Sequence, residues 1–167
     1  MTRPVREAWL IVGIPGAGKT TVARHLAARF PRAVHLEGDR LQEIVLSGLV
    51  LPGQQPRDES ERQIQLSIRN QCLLARSFAR AGFVPILDYA AVSQRLLRRY
   101  RSGLRGLDVF LVVLDPGTQV ALRRDRLRPE KTVAHLWLHM QDELRRELAG
   151  LGSGSTTAAV RLRLRSK

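Results

Sequence analysis

The chain has 167 residues, of which 44% are hydrophobic and 26% charged, values that fit one globular domain over residues 1–167. Its net charge of +13 comes from 25 arginines and three lysines spread along the whole sequence, and with only 5% aromatic residues this favours a solvated basic surface over a nucleic-acid or membrane partner. One cysteine excludes a disulfide framework, and the absence of a signal-peptide core or transmembrane run predicts a cytoplasmic protein.

The first half of the chain alternates apolar runs with helical patterns. A buried strand is expected over 8–14, followed by a helix over 19–30 with apolar residues on one face. A second strand is expected over 33–39 and a short helix over 40–47. A long amphipathic helix then covers 59–81 and ends at a glycine.

The second half continues the alternation. Strands are expected over 83–88 and 108–115, with a helix near 92–101 between them. The sequence Asp115-Pro116-Gly117 opens another helix, and a further helix is expected at about 132–148. The end of the chain, 151–167, starts as a linker and then alternates apolar and basic residues, which is typical of an edge strand or a basic tail.

This alternation predicts a parallel β-sheet covered by helices on both faces. Ligands of such sheets bind beyond the carboxyl ends of the strands. The chemistry of the chain is therefore expected at 13–20, 37–40, 88–91 and 115–131.

The clearest motif follows the first strand. The segment GIPGAGKT (13–20) matches G-x-x-x-x-G-K-[ST] and lies between a predicted strand and a predicted helix, as a phosphate-binding loop requires. The expected nucleotide contacts are Gly13, Pro15, Gly16, Ala17, Gly18, Lys19, Thr20 and Thr21. The alternative reading is a glycine-rich turn that merely begins a helix.

The physical chemistry of phosphate binding explains the residue types in this loop. Glycines let successive backbone N–H groups surround phosphate oxygens, and the helix N-terminus favours the same anion. In a chain that otherwise uses arginine, Lys19 supplies a compact charge that reaches the β- and γ-phosphates, where a planar guanidinium does not fit. Thr20 supplies a hydroxyl for Mg²⁺.

Two carboxylates follow predicted strands. Asp39 comes after the second strand and is the candidate general base toward a substrate hydroxyl, although it could also cap the next helix. Asp88 ends the third strand, where a carboxylate holds Mg²⁺ in phosphate-binding-loop proteins, although it could also be an ordinary turn residue.

An arginine-rich segment, LRRDRLRPEKT (122–132), follows the fourth strand. Arg124 and Arg128 are four residues apart and share a helix face. We expect them to form a lid at about 123–132 that binds the triphosphate and stabilises charge during transfer. The alternative is a solvated basic helix end.

Taken together, the loop, the EGD at 37–39, Asp88 and the RRDRLRP at 123–129 resemble the small P-loop kinases and phosphotransferases that include chloramphenicol phosphotransferase, gluconate kinase and zeta toxins. The resemblance covers about 8–150. It implies a three-layer P-loop NTPase fold with a five-stranded parallel sheet in the order 2-3-1-4-5, and the use of ATP and Mg²⁺. It also implies that Asp39 is the base, and that Arg124 and Arg128 are the lid arginines.

The sequence therefore predicts an ATP- and Mg²⁺-dependent phosphotransferase that acts on a hydroxyl of a small molecule. The segment 40–57 would bind the acceptor, and its Leu and Val side chains suit a partly apolar compound such as an antibiotic, unless they belong to the core. Two alternatives remain: a polynucleotide or nucleotide-sugar kinase, and a non-catalytic nucleotide-dependent binding protein. The oligomeric state is left open.

Overall fold

The computed structural model describes residues 3–90, 93–126, 146 and 162–164. The elements of these residues alternate between strands and helices, with two successive helices before the third strand. In chain order they are β1 (Glu7–Gly13), α1 (Lys19–Ala27), β2 (Ala33–Glu37), α2 (Gly38–Glu43), α3 (Arg57–Arg80), β3 (Val84–Tyr89), α4 (Gln94–Gly103), β4 (Asp108–Leu114), α5 (Thr118–Arg126) and β5 (Leu162–Leu164).

The sheet has four parallel strands in the order β2-β3-β1-β4, so the α/β class and the parallel sheet are confirmed. β5 lies at the edge beside β4 but runs antiparallel to it, with Phe110 opposite Arg163. The prediction of a fifth parallel strand is therefore wrong in its direction. A strand of three residues at a sheet edge can pair in either sense, because its alternating pattern carries no information about direction.

Helices cover both faces of the sheet. On one face, the side chains of Ile11, Ile86 and Val112 pack with Ala23 of α1. The opposite face packs against α3 and α4 through a larger cluster of buried residues, including Leu10, Val12, Ile68, Cys72, Leu87, Leu97, Tyr100 and Leu111. Successive residues of β1 thus point into different layers, as expected for a strand buried on both sides.

Two predicted boundaries need correction near the end of β2. The strand ends at Glu37 rather than at Asp39, and α2 begins at Gly38 rather than at Arg40. The N-cap of α2 is Glu37, so Asp39 does not cap this helix and instead lies in its first turn. The helix expected at 132–148 and the part of the lid beyond Arg126 lie outside the described residues.

Gly38 is required by close packing. A Cβ at Gly38 would overlap the ring of Tyr89 and would lie 2.9 Å from the carbonyl oxygen of Asp88. The absence of a side chain at Gly38 therefore allows the end of β2 to lie directly against the end of β3.

Within the described part of the chain, no helix combines the length and the apolar character needed to cross a membrane.

Candidate active site

The glycine loop connects β1 to α1 and lies at the carboxyl edge of the sheet. Gly16 has a φ of +80°, and a Cβ there would collide with the backbone carbonyl of Ala121 in α5. Gly18, with a φ of +92°, precedes α1 in the left-handed conformation. The loop is therefore held in its turn by its own glycines and by the backbone of α5.

Lys19 points back along this loop. Its side chain is only 8% exposed, and its Nζ donates to the carbonyl oxygens of Gly13, at 3.0 Å, and Ile14, at 3.2 Å. A buried ammonium needs such acceptors because its desolvation is costly. The charge is thus held inside the loop, where phosphate oxygens would be bound.

Thr20 lies beside a carboxylate that the sequence analysis did not single out. Its hydroxyl donates to Oε1 of Glu37 at 3.3 Å, although the two residues are 17 positions apart. Glu37 is the last residue of β2 and pairs in register with Asp88 of β3. Residues paired in register on parallel strands project from the same face of the sheet, so Glu37 and Asp88 lie side by side at this edge, with Thr20 bonded to Glu37.

Asp88 is almost fully enclosed, with 2% of its surface exposed. Its Oδ2 accepts a hydrogen bond from Nε2 of His35, whose ring lies 2.9 Å away on β2. A buried carboxylate needs a partner of this kind, and the bond fixes the orientation of the side chain. His35 was not predicted from the sequence, although it precedes Glu37 by two positions and therefore shares its face.

Gln71 of α3 holds the ends of β2 and β3 together from the opposite face of the sheet. Its Nε2 donates to the carbonyl oxygens of Leu36, at 2.6 Å, and Asp88, at 2.9 Å. Its own Oε1 accepts a hydrogen bond from the hydroxyl of Tyr100 in α4. Both side chains are fully buried, and burial raises the pKa of Tyr100 well above its ordinary value.

The oxygen atoms at this edge fit a magnesium ion. The hydroxyl of Thr20 and the carboxylates of Glu37 and Asp88 are the hard ligands that Mg²⁺ prefers. Within the described residues, no group of three or more His, Cys, Asp or Glu side chains could hold a metal ion. The usual magnesium site has one or two carboxylates and takes its other ligands from phosphate and water.

Asp39 is exposed and lies two residues beyond Glu37, in the first turn of α2. Burial raises the pKa of the Tyr89 phenol, and the carboxylates of Asp39 and Glu61 raise it further. Asp39 therefore lies close enough to Tyr89, at the end of β3, to influence its ionisation. The structure therefore places Asp39 at the same edge as the glycine loop, with its carboxylate open to solvent.

Of the two arginines predicted to form a lid, Arg124 is exposed in α5, and its Nη1 lies 3.6 Å from the position that a Cβ of Gly18 would occupy. The structure thus brings Arg124 to the glycine loop. Arg128 lies outside the described residues. Among the other predicted nucleotide contacts, Pro15 and Ala17 are buried in the loop, whereas Thr21 is exposed.

The segment between α2 and α3 lies next to Asp39 in the chain. None of its leucine, isoleucine and valine side chains is buried: Ile44 is 66% and Leu46 95% exposed, and the rest are intermediate. The alternative in which these residues belong to the core is therefore wrong. Gln63 of α3 anchors the segment, since its Oε1 accepts from the backbone N–H of Val50 and its Nε2 donates to the carbonyl of Gly48.

Comparison with known proteins agrees with this geometry. The sequence family described as "AAA domain" matches residues 9–147. The chain belongs to this AAA domain family. Because solved structures similar to this AAA-domain chain include several kinases, the resemblance to small P-loop kinases is confirmed. No curated protein matches the sequence with significance.

Three solved structures illustrate the likeness. The Mycobacterium tuberculosis APS kinase CysC, in complex with AMPPNP and APS, is 21% identical with a TM-score of 0.62, over 83% of this chain and 76% of that one. A gluconokinase from Sinorhizobium meliloti 1021 is 18% identical with a TM-score of 0.52, and the match covers 90% of this chain and 78% of the gluconokinase. A chain of the Pnkp1/Rnl/Hen1 RNA repair complex is 17% identical with a TM-score of 0.65, and the match covers 97% of this chain and 49% of the other. At these identities the likeness is one of fold.

Proposed function

We propose that the AAA-domain chain is an ATP- and Mg²⁺-dependent phosphotransferase that moves the γ-phosphoryl group to a hydroxyl of a small molecule. The observation that carries the proposal is the convergence of Lys19, Thr20, Glu37 and Asp88 at one sheet edge, with the exposed Asp39 beside them. Phosphoryl transfer needs a phosphate cradle, metal ligands and a group that orients the acceptor, and this edge offers one of each.

Each residue has a role that its position supports. The backbone of the glycine loop binds the phosphates, and Lys19 leaves the carbonyls of Gly13 and Ile14 to contact the β- and γ-phosphate oxygens. Thr20, Glu37 and Asp88 hold the metal ion or its water ligands. Bound Mg²⁺ supplies charge neutralisation on the phosphate oxygens.

Asp39 is the proposed general base. Its carboxylate accepts the proton of the acceptor hydroxyl while that oxygen attacks the γ-phosphorus, and ADP leaves as the bond to the bridging oxygen breaks. Its exposure supports this role because an acceptor must reach the base from solvent. Arg124, next to Gly18, is placed to stabilise the charge of the transferred group.

The acceptor is proposed to be a partly apolar hydroxyl compound, a class that includes many antibiotics. The support is the half-exposed apolar surface of residues 44–51, close in sequence to Asp39 and anchored by Gln63. Sites for drug-sized molecules are usually lined by apolar groups with a few polar contacts. The lid over about 123–132 and the single-domain organisation remain part of the same proposal.

A second candidate function is a polynucleotide 5′-hydroxyl kinase. The net charge of +13 favours a polyanionic acceptor, and the chain from the RNA repair complex has the highest TM-score of the three structures compared above. The paucity of aromatic residues for base stacking favours the small molecule instead.

The test is product detection by mass spectrometry. Antibiotics, sugars, nucleosides and a 5′-hydroxyl oligonucleotide are each incubated with the protein, Mg²⁺ and either ATP or GTP. The comparison uses wild type, Asp39→Asn and a matched control, Asp58→Asn, which changes another exposed carboxylate in the first turn of a helix.

We expect a phosphorylated small molecule from wild type and Asp58→Asn, and a loss of about 10²–10⁴-fold in Asp39→Asn. Phosphorylation of the oligonucleotide alone would favour the second candidate. ATP binding without any phosphorylated product would contradict both and would leave a nucleotide-dependent binding protein.

A further inference from the structure

The outer surface of α3 carries a groove that lies apart from the glycine loop and shares one lining residue, Gln63, with the anchor of the segment between α2 and α3. It encloses about 640 Å³ between α3 and the C-terminal half of α4. None of the glycine-loop residues, Glu37, Asp39 or Asp88 lines it. Its walls combine exposed leucines with arginines, and the nearly buried Cys72 is also part of the lining.

The lining residues of α3 follow a heptad pattern. Leu66 and Leu73 are seven positions apart and are 48% and 55% exposed. Arg62, Arg69 and Arg76 are also seven apart, so leucines and arginines alternate at spacings of four and three along one face. This is the spacing that lets one helix lie along another, with apolar positions of the two helices in contact.

The length of α3 is sufficient for such a contact. Its 24 residues correspond to about 36 Å at a rise of 1.5 Å per residue. The two leucines are therefore about 10 Å apart along the axis, and a partner helix would meet them with apolar residues two turns apart.

The charge of the groove is unbalanced. Arg69, Arg76 and Arg99 form no ion pair with any described carboxylate, whereas Arg62 is paired with Glu59 at 3.3 Å. Three cations close to two exposed leucines favour a partner that brings both carboxylates and apolar side chains.

Two other occupants fit less well. Nucleic acid would bind the arginines, but no described residue lining the groove is aromatic, and leucines give a base nothing to stack on. A second copy of the chain would bring another net charge of +13 to a basic surface.

We propose that the α3–α4 groove docks an acidic amphipathic helix of a partner protein. Apolar residues of that helix, spaced by seven, pack against Leu66 and Leu73. Its carboxylates pair with Arg69, Arg76 and Arg99. The proposal rests on the surface of α3 and does not depend on the proposed phosphotransfer.

The probe is a fluorescein-labelled helical peptide of three heptads, with leucine at the positions facing Leu66 and Leu73 and glutamate at those facing the arginines. Companion peptides carry glutamine or lysine in place of the glutamates. Binding to the full chain is followed by fluorescence anisotropy near physiological salt, where long-range surface attraction is screened. A single-stranded RNA of 20 nucleotides is titrated in parallel.

Three double variants are compared. Arg69→Glu with Arg76→Glu reverses the groove charge, and Leu66→Ser with Leu73→Ser removes the exposed leucines. The matched control is Arg98→Glu with Arg105→Glu, which makes the same charge change at exposed positions that do not line the groove. Arg76 is partly buried and the other substituted side chains are exposed, so circular dichroism verifies that all three variants fold.

We expect each groove variant to weaken binding of the glutamate peptide at least tenfold and the control to change it by less than twofold. The arginine-to-glutamate variant should bind the lysine peptide better than wild type does. The proposal is overturned if the glutamate and glutamine peptides bind wild type equally, or if the control loses as much affinity as the groove variants. It is also overturned if only RNA binding responds to the groove substitutions.

Discussion

The two sides of the candidate active site are built differently. On the proposed phosphate side, the backbone of α5 packs so closely against Gly16 that no side chain fits there. Hydrogen bonds also hold the side chains of Lys19 and Asp88 in place. On the acceptor side, the segment after α2 exposes Ile44 and Leu46 and is tied to α3 mainly by side-chain bonds to its backbone. The proposed phosphate side is therefore held by more buried contacts than the proposed acceptor side, and in the proposed mechanism only the Lys19 ammonium exchanges its partners there.

This difference assigns separate tasks to the two sides. Rigid, buried groups suit chemistry that must be the same for every acceptor, such as binding phosphate and metal. An open apolar segment suits the choice of acceptor, because it can change without disturbing the sheet. Substitutions on the two sides should therefore affect different kinetic parameters.

The largest effect is expected from Lys19. Removing its charge in Lys19→Ala should lower the rate of transfer by roughly 10²–10³-fold, as loss of one preorganised donor does. Lys19→Arg should not restore activity, because a planar guanidinium cannot occupy the space beneath the carbonyls of Gly13 and Ile14. ADP release in a coupled assay measures both variants, and an active Lys19→Arg would show that the loop is less restrictive than its burial implies.

Substitution of a proposed metal ligand should give the next largest effect. Glu37→Gln keeps the size of the side chain but removes the charge beside Thr20. We expect the Mg²⁺ concentration for half-maximal activity to rise about 10–100-fold. Glu43→Gln, in α2 and close to Arg40, is the matched control. Equal responses of the two variants would remove Glu37 from the metal site.

On the acceptor side the expected effect is smaller and confined to one substrate. Ile44→Ser with Leu46→Ser should raise the KM for an apolar acceptor about tenfold, since roughly 1–2 kcal/mol of apolar contact is lost. The KM for ATP and the melting temperature should stay unchanged, because both side chains are exposed. Leu74→Ser, at a half-exposed position of α3 outside the groove, is the control. A change in kcat or in ATP binding would mean that the two sides are not separate.

The last prediction concerns stability at alkaline pH and leaves both sides of the site unchanged. Burial raises the pKa of Cys72 from 9.0 to about 12. The thiol therefore keeps its proton to a higher pH in the folded state than in the unfolded state. The stability that this difference contributes is fully present below pH 9 and is lost as the pH rises toward 12. One proton corresponds to a slope of about 1.4 kcal/mol per pH unit. Urea unfolding between pH 9 and 11 should give a shallower slope for Cys72→Ala than for wild type, and equal slopes would contradict the burial of the thiol as the cause.

The sequence was sufficient for features that depend on local spacing. The glycine loop, its place between β1 and α1, and the positions of Lys19 and Thr20 follow from one motif and from the alternation of strands and helices. The order of the first four strands in the sheet was predicted from the resemblance to small P-loop kinases. Asp39 and Asp88 were predicted as site residues because each lies at or just after the end of a predicted strand. The boundary between β2 and α2 was displaced by two residues, since Gly38 begins a helix here rather than ending a strand.

Features that depend on tertiary contacts were missed. Glu37 becomes a candidate ligand only because register places it beside Asp88 and packing places it beside Thr20. Gln71 lies among apolar residues of α3, and this polar interruption was the one signal that the sequence offered for its role between β2 and β3. The direction of β5 was not predicted, because the alternating pattern of a short edge strand carries no information about direction.

The measurement that tests the central claim most directly is a calorimetric titration of ATP into the protein, with and without Mg²⁺. The account predicts one binding site in wild type, tighter binding when Mg²⁺ is present, and a loss of at least a hundredfold in affinity in Lys19→Ala. Failure of wild type to bind ATP, or unchanged binding in Lys19→Ala, would contradict the assignment of this sheet edge as the nucleotide site.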